Sequence, residues 1–389
     1  MYILDMLLFP SLLVLLLTAQ ANPQSSAQSS FEALAKQADA ARSADRLDEA
    51  LTLYSKGVRL RPTWSDGWWS LGSILYEQDR FLEAQEVFRR FVATAPKPGP
   101  GFAFLALCEY ETRDYDGSLK HFQSWAKSGS PGNDALIDVA GFHWALLLTR
   151  ESKFEQALYL LAAKAGKLGD KPALAEAMGL ASLRMANVPE DYPPLKREVV
   201  WLAGEAAVYS ARQDYSRSDE YAQRLATRYP GEANVHYFLG TLLGFQKRFP
   251  EAAEEYKKEL QISPQNVPAM VELALVQLEN YKSDEALPVA ERAVILEPKN
   301  ARAHLAYGKA LLATEHLSEA AHELELAKEL APESPLVRSA LANAYLRLGR
   351  TQEAKRESEA FISLQEKEEV LAPVENKGDA SKNKVRPKP

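Results

Sequence analysis

Apolar and small residues recur along the chain with two nested periods. Within each stretch they return about every 3.6 residues, the pattern of a helix with one buried face. Between stretches they return every 34 residues. One row of small residues runs Ala50, Ala84 and Ser118, then Ser218, Ala252, Ala286, Ala320 and Ala354. A second row stands in the helical stretch before each of these: Ala38, Gly72, Ala106, Ala206, Gly240, Ala274, Gly308 and Ala342. Glycine inside a helix costs about 1 kcal/mol against alanine, so its repeated use predicts another helix passing too close for a larger side chain. Larger apolar residues fill the space between these contacts. They are Trp68, Leu71, Leu105, Leu239, Leu273 and Leu341 in first helices and Tyr54, Phe88, Phe122 and Tyr256 in second helices.

Each unit closes on a proline, at Pro62, Pro96, Pro230, Pro264, Pro298 and Pro332. The missing N–H and fixed φ stop one helix and begin the turn into the next. The register slips once. From Ser118 to Ser218 the distance is 100 residues, where whole repeats need 102, and one unit is recognisable inside it from Phe154, Glu155, Gln156 and Ala157. A lone helical stretch follows at residues 173–186, and Pro189, Pro193 and Pro194 then forbid a continuous helix. This predicts N-terminal repeats over residues 31–171, an irregular helix and proline-rich break over 172–198, and C-terminal repeats over 199–365. The two halves are expected to fold separately.

Trp68, Leu71, Gly72, Ala84, Phe88 and Pro96 fall at the spacing of the tetratricopeptide repeat, and the chain from residue 31 to about residue 364 resembles that family. The resemblance implies an all-α fold, a right-handed superhelical solenoid of about eight to nine helix-turn-helix units with an irregular middle. First helices then line a concave groove and second helices form the outer wall.

The chain ends differ from the repeats. Residues 6–18, MLLFPSLLVLLLT, form an apolar run of signal-peptide length, too short to span a bilayer comfortably, and Ala19, Gln20 and Ala21 follow as a small-x-small cleavage site. Asp5 and the lack of Lys or Arg ahead of the run leave an uncleaved anchor or a misassigned start open beside a signal peptide of residues 1–21. No cysteine follows it, which excludes a lipoprotein. Residues 22–30 are expected to be a flexible lead-in and residues 366–389 a disordered charged tail. The expectation is an exported bacterial protein, periplasmic or secreted, touching membrane only through an uncleaved N-terminal segment.

Chemistry changes this picture little. The net charge of −7, with both signs interspersed, gives no basic face for nucleic acid. Cys108 is the only cysteine, so neither a disulfide framework nor a cysteine zinc cage is possible, and it reads as a core residue. His322 is followed by Leu326 where a zinc-protease motif needs a second histidine, and His236 and His304 share the repeat position of Trp68, which favours packing. No phosphate-binding or nucleophile motif occurs, so the expectation is no enzyme, no cofactor and no metal.

By resemblance, the groove rows fall at Trp69, Ser73 and Tyr76; Ala103, Leu107 and Tyr110; Tyr237, Thr241 and Phe245; Val271, Leu275 and Leu278; and Leu305, Lys309 and Leu312. Ala35, Trp69, Ala103, Tyr237 and Val271 stand where some members carry a carboxylate-gripping lysine, so that clamp is absent. The candidate partner-binding residues are Trp69, Tyr76, Tyr110, Tyr237, Phe245, Leu278 and Leu312, lining an apolar and aromatic groove for a peptide. Against this stand a groove filled by its own chain and rows that are simply core. The function expected is a protein-interaction scaffold or assembly adaptor outside the cytoplasm. The alternative is an accessory subunit that recruits substrate to an envelope enzyme, a secretion machine or a polysaccharide exporter. Expression with the native amino terminus should yield a chain beginning near Asn22 in the periplasm by mass spectrometry; an intact Met1 in the membrane fraction would establish an anchor.

Overall fold

Helix pairs ended by a repeated backbone device build the protein. The computed structural model describes residues 23–371 apart from 96, 98 and 167–171, and the regular elements among them are all helical. The chain divides into two units at Trp144 and Ala145. The first unit contains α1 (Pro23–Ser43), α2 (Leu47–Leu60), α3 (Ser65–Glu77), α4 (Phe81–Thr94), α5 (Pro100–Glu111) and α6 (Tyr115–Lys127). The division falls inside α7 (Asp134–Arg150). The second unit continues with α8 (Phe154–Ala165), α9 (Pro172–Ser182), a 3₁₀ turn at Pro194–Lys196, α10 (Arg197–Ala211), α11 (Tyr215–Arg228) and α12 (Val235–Phe245). It ends with α13 (Phe249–Ile262), α14 (Val267–Glu279), α15 (Ser283–Leu296), α16 (Ala301–Ala313), α17 (Leu317–Leu330), α18 (Pro335–Arg347) and α19 (Thr351–Leu371). Within the units the pairs α1/α2, α3/α4, α5/α6, α10/α11, α12/α13, α14/α15, α16/α17 and α18/α19 pack as helix-turn-helix repeats.

First helices stop in the same way. One residue turns left-handed, as at Asp79 (φ 56°), Lys247 (φ 59°) and Tyr281 (φ 59°), and the next N–H reaches back to a carbonyl in the last turn. Arg80 N bonds Leu75 O at 2.9 Å and Lys282 N bonds Gln277 O at 2.8 Å. This closure satisfies carbonyls that the helix end leaves free and reverses the chain within three residues. The left-handed conformation costs a residue with a Cβ roughly 1–2 kcal/mol, and among these ends only Gly349 (φ 74°) avoids it.

The two rows of small residues meet large partners as their spacing predicts. A Cβ added to Gly72 would lie 2.9 Å from the Phe88 ring, one on Gly240 2.7 Å from the Tyr256 ring, and one on Gly308 2.6 Å from Leu324. Where serine replaces alanine in the second row it is buried and bonded: Ser118 Oγ donates to Ala106 O at 2.7 Å and Ser218 Oγ to Ala206 O at 2.8 Å. Cys108 is buried in the first unit, and burial, with the charges of Glu109 and Glu111, pushes its thiol up to about 12. It is a protonated core residue.

The closing prolines contribute their carbonyls. Trp68 Nε1 donates to Pro62 O at 2.8 Å, His236 Nε2 bonds Pro230 O at 3.0 Å and His304 Nε2 bonds Pro298 O at 3.0 Å. The other ring nitrogen of each histidine meets a carboxylate, Glu255 at 2.5 Å and Glu323 at 2.6 Å. These histidines are therefore buried connectors between repeats, in the place Trp68 takes in the first unit. Pro96 lies outside the described residues.

The structure departs from the sequence reading at three places. Residues 23–30, expected to be a flexible lead-in, are the first turns of α1, and residues 366–371, assigned to the tail, continue α19. The apolar signal-like segment and residues 372–389 lie outside the described residues. The largest departure is the expected break. α9 and α10 run antiparallel across it with their backbones in contact: a Cβ on Gly179 would meet Val200 O at 1.9 Å, and one on Gly204 would meet Ala175 O at 1.7 Å. In the connecting loop Val188 and Tyr192 are buried, and Tyr192 Oη donates to Glu176 at 2.6 Å. α9 ends at Ser182 on a left-handed Arg184, with Met185 N bonded to Leu180 O at 2.9 Å, before any of the three prolines, and Gly179 and Gly204 let the flanking helices close on each other.

Gly179→Ala and Gly204→Ala should each lower stability by about 3 kcal/mol or more, since a rigid carbonyl cannot give way as a side chain can. Gly244→Ala, with open space around it in α12, should instead gain about 0.5–1 kcal/mol. Thermal melts followed by circular dichroism check the order, and equal melting points for all three would contradict the packing described. Gly349→Ala, forced into the left-handed region, should cost about 1 kcal/mol in the same assay.

Candidate functional site

In the first unit, the residues expected in the groove are used for packing. Trp69 is half-buried with its ring centroid 5.9 Å from Phe88, 5.3 Å from Phe91 and 5.4 Å from Phe104. Tyr76 sits between Phe81 at 5.6 Å and Phe104 at 5.1 Å, and burial above all pushes its hydroxyl up to about 12. Tyr110 is buried, with Tyr115 at 5.4 Å and His143 at 4.8 Å. These three aromatics interlock with rings from neighbouring helices and have little surface left to offer a partner.

The second unit is different. Leu312 is buried and Leu278 is half-buried against the core between α14 and α16, but Phe245 is 71% exposed and Tyr237 is only half-buried. Tyr237 belongs to a cluster drawn from five segments. Arg184, left-handed at the end of α9 (φ 55°), donates to Glu155 at the start of α8 at 2.6 Å and reaches the Tyr237 hydroxyl at 3.5 Å. Its guanidinium stands 4.7 Å from the centroid of Phe154 and 5.4 Å from that of Tyr237, within cation–π range. Arg302 on α16 pairs with Glu272 on α14.

These charges act on one another across the face formed by the stacked first helices α12, α14 and α16. Glu155 is 62% exposed and Arg302 53% exposed, so both meet water at the edge of this face. For Glu155 burial is the largest effect and opposes its charge. The Arg184 hydrogen bond and the charges of Arg184 and Arg302 outweigh it and hold the carboxyl below its ordinary value. For Arg302 burial again opposes, and Glu272, Tyr237 and Glu155 together raise it. Burial first, then Glu272 and Glu155 against the opposing Arg184 and Arg302, pushes the Tyr237 hydroxyl up to about 12. At neutral pH Glu155 is therefore a carboxylate, Arg302 a guanidinium and Tyr237 a neutral phenol.

A buried acid fixes the aromatic. Glu259 on α13 is fully buried, and its carboxylate accepts from the backbone N–H of Asn234 at 2.9 Å, from that of Tyr237 at 3.3 Å and from the Asn266 amide at 3.1 Å. It caps the N-terminus of α12, whose dipole favours a negative charge. Tyr237 thereby enters the groove from a first turn held by the neighbouring helix.

The sequence reading reached Tyr237 and missed its charged companions. Arg302 stands one helical turn before Leu305 on the same helix, so carrying the groove row back one turn finds it. Glu155 and Arg184 lie where the 34-residue register slips, and neither stands in a groove row of the regular repeats.

Family models described as tetratricopeptide repeat match residues 35–101, 70–134, 203–267 and 277–343, together more than half of the chain. No curated protein matches the sequence. Among solved structures, a MamA double mutant of strain RS-1 is 20% identical, over 44% of this chain and 97% of that one, with a TM-score of 0.40. MamA from Desulfovibrio magneticus RS-1 is 24% identical over 44% and 98%, with a TM-score of 0.35. YrrB, described as a TPR protein with an unusual peptide-binding site, is 18% identical over 45% and 88%, with a TM-score of 0.36. These likenesses are of fold and extend over less than half of this chain. With the 34-residue helix pairs, the interlocking rows of small and large residues and the matching repeat models taken together, the chain belongs to the tetratricopeptide repeat family.

Proposed function

We propose that this protein is a protein-interaction scaffold that holds a partner polypeptide in the groove of its second unit, around Tyr237. The observation that carries the reading is the cluster of Glu155, Arg184, Tyr237, Glu272 and Arg302. Four charged groups and one phenol, from five segments, converge on a face where Glu155 and Arg302 remain open to water. A polypeptide supplies what such a face takes: backbone donors and acceptors, side chains of both signs, and an apolar group for Tyr237 and the exposed Phe245 ring. The resemblance of the N-terminal segment to a signal peptide supports placing this binding outside the cytoplasm.

A photo-crosslinking amino acid at position 237 should capture a partner polypeptide in cells, whereas the same group at Tyr159, exposed on α8, should not. Reversing charge with Arg302→Glu should reduce the adduct about tenfold or more, the loss expected for an arginine at the centre of an interface. An adduct that survives Arg302→Glu unchanged, or none at position 237, would refute the groove as the binding site. Fractionation of the same cells tests the location: a chain confined to the cytoplasm contradicts export.

A further inference from the structure

The inserted helix α9 leaves an uncovered face on α10. The first-helix position 17 residues before the small residue of the second helix is itself small or apolar and buried at Gly67, Gly101, Ala140, Val235, Ala269 and Ala303. The neighbour responsible is visible at Gly101, where an added Cβ would lie 2.4 Å from Phe91 on the second helix of the preceding repeat. In α10 this position is Trp201, which is 38% exposed. The helix before α10 is α9, and it approaches over Val200 and Gly204 and leaves the Trp201 side open.

Trp201 does not stand alone on that side. Tyr221 of α11 packs edge-on against it with centroids 5.5 Å apart, and Tyr209 stacks on Tyr221 at 5.6 Å. Arg224 lies over both outer rings, 5.9 Å from Trp201 and 5.2 Å from Tyr221. Among the described residues Arg224 is in no ion pair, so its exposed guanidinium is held over the aromatic rings, while Glu205 and Glu220 act on Tyr221 without pairing with Arg224.

We infer that this slot is a second docking surface, for an amphipathic acidic helix of a partner protein lying where a preceding second helix covers other repeats. The ordinary repeats show what the face accepts. α17, for example, packs against α18 and reads LSEAAHELELAKEL, an apolar stripe flanked by glutamates. A helix of that kind buries Trp201 and Tyr221 and brings a carboxylate to Arg224, a charge-assisted pair strengthened as water leaves. This surface rests on the inserted helix and is independent of the groove reading.

The probe is a peptide with the α17 sequence, end-blocked, stapled into a helix and fluorescently labelled, titrated with the full chain and followed by anisotropy. Saturable binding is expected, weakened about tenfold or more by Trp201→Ala and by Arg224→Glu and unchanged by Arg302→Glu, which separates slot from groove. Circular dichroism melts establish that the variants fold, and Arg224, being exposed, gives a readout even if Trp201→Ala is unstable. Absence of saturable binding overturns the proposal, as does equal binding by wild type and Arg224→Glu. Equal binding of a peptide with its glutamates changed to lysine overturns the acidic assignment. A concentration-dependent dimer in sedimentation that Trp201→Ala or Arg224→Glu dissolves would make the occupant a second copy of this chain and overturn the partner-helix reading.

Discussion

The approach of helix to helix at a distance only a hydrogen atom or a methyl group can fill underlies the rest of the structure. Gly72 against Phe88, Gly240 against Tyr256 and Gly308 against Leu324 set that distance within repeats, and Gly179 and Gly204 set an even shorter one between backbones at α9 and α10. A small residue is poor at filling space, so each contact works only because a large side chain lies opposite it. Once the distance is fixed, the left-handed ends of the first helices fix the direction of the next element. Each repeat then presents the same face to the one that follows.

Insertion of α9 breaks this uniformity and has two consequences. At its C-terminal end it delivers Arg184 into the groove of the second unit, beside Glu155 and Tyr237. Along α10 it packs on the glycine side and leaves Trp201 exposed, with Arg224 and Tyr221 beside it. Both candidate surfaces arise where the repeat is irregular. That follows from the physics of repetition: a regular interior repeat has its faces covered by neighbours, and an irregular one has surface left over for other partners.

Charge is used in two ways in the second unit. Glu259 is buried and compensated by backbone N–H groups at a helix end, and Glu357 is buried beside Lys328 at 3.0 Å and Arg338 at 2.6 Å. For Glu357 burial opposes ionisation, and the bonds to Arg338 and Lys328 more than offset it, so the carboxyl is held below its ordinary value. Its contribution to stability is present at neutral pH and is lost as pH falls through that lowered value. Glu155 and Arg302 are compensated less completely and stay in contact with water. A partner can engage them without first breaking up the core.

The sequence by itself determined the helices, their pairing and the two rows of interlocking residues, because these depend on short-range features: helical periodicity, proline and glycine chemistry, and a repeat that copies each environment. It also identified His236 and His304 as packing residues from the position they share with Trp68. Tertiary structure decided which groove positions are open. Tyr110 has the same repeat position as Phe245's neighbour Gly244, yet Tyr115 and His143 cover it, while nothing in the second unit covers Phe245 to the same degree. Only the fold could bring Glu155, Arg184 and Arg302 to one site, because their meeting depends on how several successive helix crossings add up, and no local pattern in the chain records that sum.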